Sequence, residues 1–161
     1  MENLFLKNFN YLKDTLFLLT ADHGHMDINP KTTFYINKKA PMIKKYLKTN
    51  NKNEFLVPAG SPRDLFLYIK DNFLDEAKFY LEKKLKGIAD VYLTKDLINK
   101  GLFGNKISKT FLSRVGNLVI LPYKNQSVWW WEKNRFEQKF FGHHGGLTKE
   151  EMEIPFILLY T

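Results

Sequence analysis

The sequence predicts an α/β fold built on a mainly parallel sheet flanked by helices, with a small α+β lobe. Two observations carry this. Short apolar runs bounded by polar residues recur along the chain, and stretches with helical spacing of apolar residues fall between them, with no internal repeat. With 161 residues and an apolar share of 44%, there is enough chain for one domain with a real core.

The elements follow in order. Residues Asn3 to Asp14 suit a helix, with Leu4, Phe5, Phe9 and Leu12 near one face. "TLFLLT", Thr15 to Thr20, reads as a fully buried strand because its apolar run is continuous, not alternating. "TTFYIN", Thr32 to Asn37, reads as a strand, and Pro41 to Leu47 as a short helix with proline at its start. The prolines and glycine of "PAGSPRD", Pro58 to Asp64, allow no regular element. Leu65 to Lys70 then reads as a strand and Leu74 to Gly87 as a helix. Its stripe is Leu74, Ala77, Leu81 and Leu85, with acids at the front, lysines at the back and a glycine stop. Ile88 to Thr94 is strand-like and "KDLINKG" helical, so 54–115 forms the expected inserted lobe. Gly116 to Tyr123 is a further strand, and the chain closes on a glycine-rich turn, a helical turn and a buried strand from Ile154 to Tyr160.

Composition excludes several classes. The longest apolar runs fall far short of the roughly 20 residues that a membrane-spanning helix needs. No basic segment followed by an apolar one marks a secretory leader. Cysteine is absent, which removes disulfides and thiolate ligands and favours a reducing compartment, the cytoplasm. The net charge of +8 comes almost entirely from lysine; Arg63, Arg114 and Arg135 are the three arginines among 25 basic residues. Neither an arginine stripe nor a nucleic-acid-binding module is present, so nucleic acid is disfavoured as a partner. The consecutive Trp129, Trp130 and Trp131 fit packing better than a stacking platform for bases.

All four histidines fall in two clusters. "TADHGHMD" places Asp22, His23 and His25 at the end of an apolar strand, and "FGHHGG" places His143 and His144 before the last one. Ligand sites in open α/β sheets lie beyond the carboxyl ends of strands. A glycine between the two histidines lets the backbone turn so that side chains converge. Asp and His suit zinc and related divalent ions. Spacing alone leaves the ligand role and a turn-bracing role equally open.

The strand ending in T-A-D-H-G, followed about 120 residues later by "HGGLTKEEMEIPFILL", resembles the type I phosphodiesterase/nucleotide pyrophosphatase family of the alkaline phosphatase superfamily. "GSPRDL", "GLFG" and "RVGNLVILP" are also similar to its bacterial and archaeal members, so the resemblance spans essentially the whole chain. It implies an alkaline-phosphatase-like fold and a site for two divalent ions, commonly zinc. Asp22 and His23 would bind one ion and His144 the other. His25 and His143 would be neighbours of the ligands, and Arg63 a candidate substrate contact or, more readily, a structural ion pair. The resemblance implies a phosphodiester or pyrophosphate small molecule as substrate.

The family's Thr or Ser nucleophile and its remaining Asp and His ligands lie upstream of the D-H-G strand, and the 21 residues before Asp22 cannot hold them. The expectation is therefore the C-terminal portion, 1–161, of a phosphodiesterase catalytic domain. It would carry no catalytic nucleophile and would need the N-terminal half. Non-catalytic partner subunit of a split enzyme is the second reading, and a basic nucleic-acid-binding module a distant third.

Overall fold

The structure is a computed structural model and describes residues 7, 11 and 13–160. The helix expected over Asn3 to Asp14 lies largely outside the described residues. The elements are β1 (Leu16–Thr20), β2 (Met26–Asp27), β3 (Phe34–Tyr35), α1 (Ile36–Lys39), α2 (Ile43–Tyr46), β4 (Leu65–Leu67), α3 (Leu74–Lys84) and β5 (Ala89–Leu93). They continue as α4 (Thr94–Asn99), α5 (Lys109–Arg114), β6 (Leu118–Pro122), β7 (Val128–Trp129), β8 (Gly142–His143), α6 (Lys149–Met152) and β9 (Phe156–Tyr160). None of the described helices is long and apolar enough to cross a membrane.

The core sits on the three-stranded sheet β4-β6-β5. Leu65, Leu67, Leu118 and Ile120 share one core with Ala77 and Leu81 of α3, Leu85 just beyond its end, and Ile43 and Tyr46 of α2. β6 is the central strand, so the 54–115 segment shares its sheet with residues beyond 115. Asn117 locks the entry to β6: its Oδ1 accepts from Ile69 N–H at 2.7 Å and its Nδ2 donates to Ile69 O at 2.7 Å.

The expected mainly parallel pairing is not what the described strands adopt. β4–α3–β5 does link two strands running the same way, as a helical crossover should. The later strand β6 then inserts between them, antiparallel to both. β3–β7 is the parallel pair among the described strands, whereas β1–β9 and β2–β8 are antiparallel. The pairs are nested: β3–β7 lies inside β2–β8, which lies inside β1–β9, and all three enclose the chain segment of the central sheet.

β1 and β9 also depart from expectation in burial. Every β9 residue from Phe156 to Tyr160 is exposed, as are Leu16 and Leu18 of β1. Continuous apolar runs are the signature of strands covered on both faces. Among the described residues these two strands form a ribbon of their own, with Phe17 and Leu19 of β1 half-buried and the β9 side chains exposed.

The tryptophans divide their roles. Trp129 and Trp130 pack against the core, Trp129 meets Phe136 edge-on, and the ring of Trp131 carries the Lys38 ammonium 3.3 Å from its centroid.

Candidate metal centre

The two histidine clusters meet because β2 pairs with β8, Met26 opposite His143 and Asp27 opposite Gly142. Ile28 N–H extends the ladder to Phe141 O at 2.7 Å. The turn before β2 is pinned from the other side, where Gly24 N–H donates to Glu151 O at 2.9 Å. A Cβ on Gly24 would sit 1.9 Å from the Glu150 carbonyl oxygen, so only glycine allows this approach.

That geometry gathers three imidazoles. One nitrogen from each of His23, His25 and His144 lies within 4.8 Å of the other two. The His23 and His144 rings stack at 3.9 Å with 14° between planes, while His25 stands 5.2 Å and 5.3 Å from them. His23 is half-buried and the other two are exposed. Nδ1 of His23 lies 2.8 Å from the carbonyl of Gly24. A carbonyl can only accept, so the proton sits on Nδ1 and the lone pair of the neutral ring on Nε2.

Asp22 lies beside this group. Its Oδ1 accepts the His23 backbone N–H at 3.0 Å, and its Oδ2 is 3.6 Å from His23 Nε2, with the carboxylate otherwise in solvent. His143, on β8, stands edge-on to Phe140. Burial pushes its imidazole below the ordinary value, partly offset by a hydrogen bond with the Phe140 backbone.

Behind the histidines stands a buried ion pair. Arg63 Nε and Nη2 donate to the two Glu151 carboxylate oxygens at 2.9 and 2.8 Å, and both side chains are sealed from solvent. Arg63 Nη1 donates to the carbonyls of Tyr123 and Gln126. Arg63 therefore presents no free face to a phosphate: the candidate substrate contact resolves into the structural ion pair. Burial disfavours the charged Glu151. The Arg63 and Thr148 hydrogen bonds, the Arg63 charge and the Gly146 N–H outweigh it and hold the carboxyl below its ordinary value.

Glu151 in turn shapes the His144 loop, accepting from Gly146 N–H at 3.0 Å and from the Thr148 hydroxyl at 2.7 Å. Ser61 Oγ donates to the His144 carbonyl at 2.8 Å, and the Ser61 N–H donates to Asp64 at 2.7 Å. Gly145 has φ of +114°, and a Cβ there would lie 2.7 Å from Ser61 Oγ. Sequence reasoning read Glu151 only as an acid at the start of the closing helical turn and assigned no role to Ser61. The signal for Glu151 was the Thr148-x-x-Glu151 spacing of a helix-capping pair. Ser61 left no comparable trace.

The donor set fits a divalent transition ion. Imidazole and carboxylate are ordinary zinc ligands, and tetrahedral zinc with Zn–N near 2.0–2.1 Å needs nitrogens about 3.3 Å apart. The His23–Gly24 hydrogen bond is the kind of outer contact that orients a ligating imidazole.

Compared by sequence, the chain matches no family model and no curated protein. Compared by structure, it is similar to human ectonucleotide pyrophosphatase/phosphodiesterase 5, with TM-score 0.61 and 12% identity over 96% of this chain and 36% of that one. An inactive murine form of the same protein in complex with AMP aligns with TM-score 0.56 and 14% identity, covering 98% of this chain and 37% of that one. Phosphonoacetate hydrolase from Sinorhizobium meliloti 1021, in complex with phosphonoformate, aligns with TM-score 0.62 and 18% identity, covering 97% and 38%. The fold is that of the C-terminal part of alkaline-phosphatase-like enzymes. The chain spans little more than a third of the length of the structures it matches.

Proposed function

We propose that the chain supplies the C-terminal, ligand-bearing part of a metal-dependent phosphoric ester hydrolase acting on a phosphodiester or pyrophosphate. The convergence of His23 and His144 beside Asp22, on a fold shared with a phosphodiesterase and a phosphonate hydrolase, is the observation that carries it. Asp22 and His23 would hold one divalent ion and His144 a second. Paired cations about 4 Å apart stabilise the attacking and leaving oxygens of an in-line displacement and activate the nucleophile.

The chain's own residues do the positioning. The Gly24 carbonyl keeps the His23 lone pair on Nε2. Glu151 and Ser61 fix the backbone on which His144 rides. Arg63 neutralises Glu151 so that its charge does not compete with Asp22 for an ion. The net positive charge draws anionic substrates inward. The nucleophile is assigned to an upstream half, on the resemblance.

A second reading, a non-catalytic half docking onto a separate partner, draws on the exposed apolar β1–β9 ribbon. One experiment tests both. The chain is expressed alone and together with the polypeptide encoded immediately upstream, and bis(p-nitrophenyl) phosphate hydrolysis is followed with and without chelator. Chelator-sensitive turnover only in the joint preparation, lost in His144→Ala, is expected. Turnover by the 161-residue chain alone would overturn the assignment of the nucleophile. An inert joint preparation would overturn the hydrolase reading.

A further inference from the structure

We infer that the outer face of the α1–α2 helix pair is a docking surface for a lipid bilayer that carries anionic headgroups. The inference is independent of the phosphohydrolase reading, because it uses none of the residues of the histidine cluster.

The charge of the chain is concentrated in one segment. Residues 28–53 hold seven lysines and no acid, whereas the rest of the sequence holds 18 basic and 17 acidic residues. A general bias towards lysine would raise the charge along the whole chain. A one-sided segment in an otherwise balanced sequence marks a surface that meets something anionic.

The fold turns that segment into a single face. Ile36, Ala40, Ile43 and Leu47 recur at helical spacing and are at most 1% exposed, so one side of the pair is committed to the core. Lys38, Lys39, Met42, Lys44 and Lys45 fall between them and are all exposed. Lys45 pairs with Glu76 at 3.6 Å and Lys48 with Asp71 at 2.9 Å. Among the described residues, Lys31, Lys38, Lys39, Lys44 and Lys52 form no ion pair. The face therefore keeps most of its positive charge for an outside partner.

Two features select a bilayer over other polyanions. Met42 lies between the pairs Lys38–Lys39 and Lys44–Lys45 and is 54% exposed. An apolar side chain flanked by amines suits a membrane interface, where the thioether enters the acyl boundary while the ammonium groups stay at the level of the phosphates. Lysine also supplies all of the charge. A compact ammonium responds to the surface potential of an anionic leaflet, whereas readers of nucleic acid draw on the forked guanidinium of arginine, which this face lacks.

The test uses the 161-residue chain and sedimentation with vesicles of phosphatidylcholine alone or of phosphatidylcholine with phosphatidylserine, folding of each variant being checked by circular dichroism. Binding to the phosphatidylserine vesicles that weakens as salt is raised is expected. Lys38→Gln/Lys39→Gln/Lys44→Gln should weaken it by about 100-fold, at roughly fivefold per lysine. Removing as much charge elsewhere, with Lys95→Gln/Lys106→Gln/Lys109→Gln, should cost less than about fivefold. Met42→Ser should cost about fourfold, the worth of one methylene buried in lipid. Equal losses in the two triple variants would reduce the effect to net charge and overturn the inference. Equal binding to neutral vesicles would overturn it too, by moving the contact to the exposed β1–β9 ribbon, as would no binding by the folded parent. Duplex DNA is titrated into the same set; binding to DNA that is lost in the first triple variant, with vesicles left unbound, would overturn the inference in favour of nucleic acid.

Discussion

Replacing Glu151 by glutamine tests the ion pair that stands behind the histidine cluster. The substitution keeps the size of the side chain and one acceptor oxygen, but puts an NH₂ donor where Oε2 meets Arg63 Nη2 and Thr148 Oγ1. Thr148 can turn its hydroxyl to accept, whereas the guanidinium cannot adapt. Arg63 is left fully buried, with two backbone carbonyls and no countercharge. Breaking a buried pair by neutralising one partner costs about 3–5 kcal/mol. In a chain of this length that corresponds to a fall of about 6–20 °C in melting temperature. Urea and thermal unfolding, followed by the fluorescence of the tryptophans, give the number. Arg63→Met should cost a similar amount, and the double substitution less than the two together, because it removes the charge that either single change strands. A Glu151→Gln protein within about 0.5 kcal/mol of the parent, the range of ordinary surface changes, would refute the reasoning. So would strict additivity in the cycle.

Gly24→Ala should destabilise the chain by about 1–3 kcal/mol and weaken zinc binding, since its Cβ would displace the Glu150 backbone; unfolding and calorimetry read the two effects. Stability should fall as the pH drops below about 4.5, because the Glu151 carboxyl is held below that ordinary value and the unfolded chain takes up its proton first. Burial raises the Asp64 carboxyl, with Ser61 opposing, so Asp64 favours the folded state at low pH and loses that contribution as the pH rises through its folded value. A pH series of melting curves should therefore be flatter in Glu151→Gln and steeper in Asp64→Asn. Leu158→Lys, on the exposed β9, should reduce concentration-dependent self-association in sedimentation without lowering the melting temperature.

The motifs were readable because their residue types are chemically specific: Asp22, His23 and His144 stand out in any reading. Their supports were not, because Glu151 and Ser61 act through backbone groups distant in sequence, and a single chain of letters does not announce such partners. His25 was read as a neighbour of the ligands, and the structure places its ring 5.2 Å from that of His23. The helix over Leu74 to Gly87 was legible from its stripe and charges, and the structure ends it at Lys84. The sheet was misread for a topological reason. Alternation of strands and helices signals crossovers, and it is silent about a later strand such as β6 entering between the two strands a crossover joins.

The nested strand pairs set an order of assembly. Once β3 and β7 have met, β2 needs to find β8 only across residues 28–33 and 130–141, a far shorter closure than it would face from the open chain. β1 and β9 then close around both. Loop-closure entropy therefore favours closure from the middle towards the ends, and long-range pairing of this kind is slow. In such an order the histidines, carried by the turn before β2 and the residue after β8, would come together before the outermost pair closes. During synthesis the histidine cluster cannot close until residue 144 has left the ribosome, about 120 residues after His23 and His25.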